Sequence, residues 1–157
     1  MSMKKRQYNR AFSLLEVVIV VAIIAVLATI AIPRMSRGAK GAKDSAVSGD
    51  LAVLRNSIDL YATEHGGTYP AAATIADQLT KYTDIDGNTS DTKTTTHIYG
   101  PYLRSVPPLP VGDRKGEDQI AASDANDVGW IYTVASGTIR ANTTTEKDDT
   151  DKLYSAY

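Results

Sequence analysis

Few side chains in this 157-residue chain are equipped for catalysis. There is no cysteine, and the two histidines, His65 and His97, stand far apart in the sequence. No HExxH, GxSxG or phosphate-binding glycine loop occurs, so the usual zinc-hydrolase, serine-hydrolase and nucleotide-binding chemistries have no residues to carry them. An enzyme is not expected. His65, near the end of a helical pattern, is expected to face the carbonyl end of that helix instead of binding a ligand.

The chain does offer hard oxygen ligands. Asp84, Asp86, Asn88 and Asp91 surround Gly87, and Asp118, Asp124, Asn126 and Asp127 form a second cluster ahead of a strand pattern. Carboxylate and amide oxygens in loops suit calcium. The first cluster lacks the full EF-hand loop with its terminal glutamate. The second is the better calcium candidate, and the plain alternative for both is a set of solvated loop acids.

Hydrophobic residues make up 43% of the chain, but the aliphatic ones are concentrated in its first third, which leaves only a modest core for the remaining two thirds. A domain of about 100 residues built that way is marginally stable. Charge is uneven too. Lys4, Lys5, Arg6 and Arg10 precede any acid, and losing those four bases would take the formal charge from −1 to −5. An acidic remainder without a basic stripe argues against nucleic-acid binding. The lack of cysteine excludes disulfides and thiolate zinc sites without fixing the compartment.

The N-terminus fixes it better. The run AFSLLEVVIVVAIIAVLATIAI, 11–32, has Glu16 as its one charge. As a helix rising ~1.5 Å per residue it would span about 33 Å, enough for a hydrocarbon core of ~30 Å. The preceding bases put the N-terminus in the cytoplasm and export the remainder; Arg34 and Arg37 weaken that asymmetry without reversing it. A secretory signal peptide would share the basic start and apolar run, with Thr29 and Ala31 as a cleavage site. A plain single-span anchor is the other simple reading. Neither explains Glu16, since an acid inside an apolar span costs roughly 2.5–3.5 kcal/mol near its centre and less toward the interface.

From Ala11 to Pro33 the chain resembles the type IV pilin and type II secretion pseudopilin family. That family's processing motif has a small residue, then Phe, then a Glu within the apolar run, places filled here by Ala11, Phe12 and Glu16. The family usually has Gly where this chain has Ala11. The resemblance implies removal of leader 1–11 by a membrane prepilin peptidase, N-methylation of Phe12 by a prepilin N-methyltransferase, and pairing of Glu16 with the N-terminal amine of a neighbouring subunit. It also implies a homo-oligomeric filament with minor pseudopilins, an inner-membrane assembly platform and a secretion ATPase as partners. The head would be periplasmic on a single-pass inner-membrane anchor. Major pseudopilins often bind calcium in a loop near the last strands, which makes Asp118, Asp124, Asn126 and Asp127 the candidate ligands.

Pro33 lacks an amide hydrogen and is expected either to kink the helix or to mark where its membrane part ends. Val47, Leu51, Leu54, Ile58 and Tyr61 then form one helical stripe, opposite Asp50, Arg55, Asn56 and Asp59, until Gly66-Gly67 stops it. Gly38 and Gly41 make the link between the two parts its weakest stretch, at about 1 kcal/mol each relative to alanine. A second helix is expected over 71–82, with Ile75, Leu79 and Tyr82 on one side. Residues 84–96 read as a loop, and 99–110, YGPYLRSVPPLP, as a pinned crossing segment. Residues 129–142 read as a β-hairpin turning at Ala135-Ser136-Gly137. The tail EKDDTDKLYSAY is polar enough to be expected without order until its last residues.

The expected architecture is α+β: a long N-terminal helix, half membrane-spanning and half amphipathic, packed on a small antiparallel sheet. Its segments are leader 1–11, membrane helix 12–32, amphipathic continuation 33–66 and head 67–157. A type II secretion pseudopilus subunit is the leading functional reading, because the head is small and free of cysteine. A type IV pilus subunit for adhesion or motility and a membrane-tethered binding module are the alternatives.

Overall fold

The computed structural model describes residues 13–157, without the side chains of 32–37 and 39. The leader, with the cleavage pair Ala11 and Phe12, lies outside the described residues. The chain divides into two units, Met1–Ala39 and Lys40–Tyr157. Helix α1 is assigned over Leu14–Glu64.

In the first unit, Leu14–Ala31 is the one stretch among the described residues long and apolar enough to cross a membrane, and it is unburied. The only hydroxyl between those bounds, Thr29, donates to the Val26 carbonyl at 2.7 Å and so needs no outside partner. The helix assignment continues through Pro33, Gly38 and Gly41. Gly38 and Gly41 are both helical despite a cost of about 1 kcal/mol per glycine, and each is followed by an alanine, which favours helix.

In the second unit, the stripe on α1 packs as its spacing predicts, with Val47, Leu51, Leu54, Ile58 and Tyr61 all buried. The helix ends at Glu64. Gly66 and Gly67 take positive φ, 63° and 90°, and the Gly67 amide donates to the Ala62 carbonyl at 2.7 Å, the glycine-based closure of a helix C-terminus.

Helix α2 is shorter than expected, Ile75–Thr80, with Ile75 and Leu79 in the core. Tyr82 leaves the helix to open β1 (Tyr82–Thr83), which pairs antiparallel with β2 (Thr89–Ser90) across the Asp84–Asn88 turn. The crossing segment carries no strand; it buries Leu103 and Leu109, and its Pro107 carbonyl accepts from the Trp130 indole at 2.8 Å.

The main sheet is mixed, not purely antiparallel as expected. β4 (Val128–Thr133) and β5 (Thr138–Ala141) form the antiparallel hairpin, with Gly137 at φ 66° in its turn. On its other edge β4 pairs parallel with β3 (Gln119–Ala121). A strand that short is missed by alternation, and residues 122–127 suffice to return the chain to its start. Trp130, Tyr132, Ile139 and Ala141 join the α1 stripe in a single core. The α+β architecture with a helix-and-sheet head stands.

The tail is a second departure. Leu153 bridges back to Lys147, Tyr154–Ala156 forms a 3-10 turn, and Asp148 and Tyr154 are buried. Its polarity serves internal hydrogen bonds in place of solvation.

Candidate functional site

In the first unit, Glu16 sits in the first turn of α1, the only charge between Leu14 and Ala31. A carboxylate there is favoured by the positive end of the helix dipole, and it lies among unpartnered apolar side chains. A segment of this kind can enter a bilayer or pack against like helices, and in either setting the acid gains by meeting a cation.

In the second unit, the oxygen clusters are already occupied by protein donors. Asp84 accepts the amides of Asp86 and Asn88 at 3.0 and 2.9 Å and the Asn88 side chain at 2.8 Å, and these bonds, the side-chain one first, pull its carboxyl below the ordinary range. Asp91 pairs with Lys81 at 3.4 Å. Among the described residues Asp84, Asp86 and Asp91 form no group that could hold a metal ion. The cluster is a turn-forming device.

The second cluster meets Arg114. Its guanidinium donates to Asn126 Oδ1 at 3.0 Å and to Asp124 Oδ1 at 3.2 Å, and that same Asp124 oxygen accepts from Asn142 at 2.8 Å. The Asn142 bond, with Arg114 behind it, holds the Asp124 carboxyl below its ordinary range. Asp118 and Asp127 are exposed. Among the described residues no three His, Cys, Asp or Glu side chains converge in a way that could hold a metal ion. A calcium ion does not fit this donor set, since two of its four residues, Asp124 and Asn126, face the fixed positive charge of Arg114.

His65 is buried against the end of α1, as expected, with Nδ1 2.8 Å from the Tyr61 carbonyl. Its Nε2 lies 2.9 Å from the Asp84 carbonyl and 3.1 Å from the Thr83 hydroxyl, and the ring stacks on Tyr61 at 3.8 Å. The histidine therefore ties the helix end to the β1–β2 turn. Arg55, expected on the solvated face, instead reaches the main-chain oxygens of Tyr157 at 2.5 Å and Ile139 at 3.3 Å. Neither Arg55 nor Arg114 is marked by any sequence period, because each acts on groups far away in the chain. Asp148 had a local signal: Thr150 two residues on is a turn-forming pair.

Residues 6–32 match the family model described as the prokaryotic N-terminal methylation motif. It is a type IV prepilin-like leader, and the match takes in Ala11, Phe12 and Glu16. No curated protein matches the chain. No solved structure does either.

Proposed function

We propose that this chain is a structural, non-catalytic subunit of a type II secretion pseudopilus, assembled through its N-terminal helix to support protein export. The observation that carries the reading is Glu16: a lone acid, in an unburied apolar helix, within a methylation motif. Prepilin peptidase removes residues 1–11 on the cytoplasmic side, and the new Phe12 amine is N-methylated. A secondary amine of that kind keeps its positive charge. Glu16 of one subunit then neutralises the amine of the next as their apolar helices pack, which removes two charges that would each be costly alone in an apolar bundle.

In this reading the helix first anchors the subunit in the inner membrane, with the head in the periplasm, and an assembly platform and its ATPase then draw it into the filament with minor pseudopilins. The small cysteine-free head favours a pseudopilus over an adhesive pilus, whose subunits often carry a disulfide-closed loop. Glu16→Ala tests the mechanism. The variant is expected to insert into membranes at least as well as the parent and to form no filaments; normal filament yield would overturn the pairing.

A further inference from the structure

Arg114 stands where three loops of the head meet. It lies in the turn 109–117, which is closed by the Leu109 amide on the Glu117 carbonyl at 2.9 Å and the Gly116 amide on the Leu109 carbonyl at 2.8 Å. Its two terminal nitrogens reach a second turn, at Asp124 and Asn126. Through Asp124 the link passes to Asn142, which is buried and tied to β4 by its side chain on the Val128 carbonyl at 2.7 Å and its amide on the Gly129 carbonyl at 2.9 Å. On the far side, Glu146 accepts the Asp113 amide at 3.2 Å. A cavity of about 100 Å³ lies between these groups, lined in part by Asp113, Asp124 and Glu146. Arg114, only a quarter exposed, is the cation on its wall, and it pairs there with Asp124 at 3.2 Å.

We infer that the Arg114 guanidinium does in this head what a divalent cation would do in a loop cluster of this kind: it cross-links the 109–117 and 124–126 turns to the end of the sheet and neutralises Asp124, so that the head needs no calcium. A planar fork suits the task, because one side chain holds two oxygens on the same turn in a fixed geometry, where lysine offers only a compact point charge. The inference stands whether or not the chain builds a filament.

The test is thermal unfolding of the full chain in detergent, with excess calcium and with a calcium chelator, for the parent, Arg114→Ala, Arg114→Lys, Asp124→Asn and Arg114→Ala/Asp124→Asn. The parent is expected to melt at the same temperature in both conditions. Arg114→Ala should melt several degrees lower in chelator, Arg114→Lys should fall between, and the double variant should lose less than the two single losses combined. A parent that calcium stabilises, or that the chelator destabilises, would overturn the inference. So would an Arg114→Ala protein melting with the parent, or losses that simply add. Should Arg114→Ala fail to fold, the parent's indifference to calcium and the position of Arg114→Lys still decide.

Discussion

The Tyr157 hydroxyl donates to Asp148 Oδ2 at 2.5 Å, and around that bond the polar tail closes on itself. Asp148 Oδ1 also accepts the amides of Thr150 and Lys152, at 2.7 and 2.9 Å, and the Thr150 hydroxyl at 2.8 Å. A short bond from the Tyr154 hydroxyl to Asp44, and the Asp149 amide on Asp44 at 3.1 Å, then fasten the tail to α1.

Acid should loosen this closure. The Tyr157 hydrogen bond, with the Lys152 and Thr150 donors behind it, outweighs burial and holds the Asp148 carboxyl well below the ordinary carboxylate range. A depressed folded-state pKa gives stability that is fully present above the unfolded value, near 3.8, and is lost as pH falls through the lower folded value. The parent should therefore keep its tail packed down to about pH 4 and lose it below. Asp148→Asn should melt lower at neutral pH and lose less stability between about pH 4 and pH 2. Hydrogen exchange at the Thr150 and Lys152 amides reads both effects; an unchanged acid profile in the variant would contradict the assignment.

The α1 stripe should carry most of the head's stability. Leu54 and Ile58 are fully buried, so Leu54→Ala or Ile58→Ala should cost about 2–5 kcal/mol by denaturant unfolding. Asn56→Ala, between them on the exposed face, should stay within about 0.5 kcal/mol. Equal effects at the three positions would mean that α1 does not pack on the sheet through this stripe.

Gly129 lets β4 pass close to the 109–117 turn. A Cβ added there would collide with the Glu117 carbonyl oxygen, and that neighbour is backbone that cannot swing aside. Gly129→Ala should therefore cost about 1–3 kcal/mol. The Trp130 fluorescence of the unfolding head measures this directly, and a variant as stable as the parent would show that the two segments can separate at no cost.

How far these features can be read from sequence depends on how local their causes are. The Val47-to-Tyr61 stripe, the Gly66-Gly67 stop and the hairpin around Gly137 each arise from spacing or from one residue's backbone freedom, and all three appear where expected. Tyr82 continues the helical period of Ile75 and Leu79, yet pairing with Ser90 takes it into β1. The short parallel strand Gln119–Ala121 exists only because β4 is beside it. Asp148 and Arg55 look like solvated charges until the distant groups that they bind are in place. At the N-terminus, by contrast, the motif is contiguous, and there the sequence is most informative.

The most direct test of the central claim is the intact mass and N-terminal sequence of the protein extracted from the membranes of its native host. A chain beginning at N-methylated Phe12, with residues 1–11 removed, is the expected result. A chain beginning near Ile32 would show removal by signal peptidase, and an unprocessed chain would show a plain anchor; either would contradict assembly through Phe12 and Glu16.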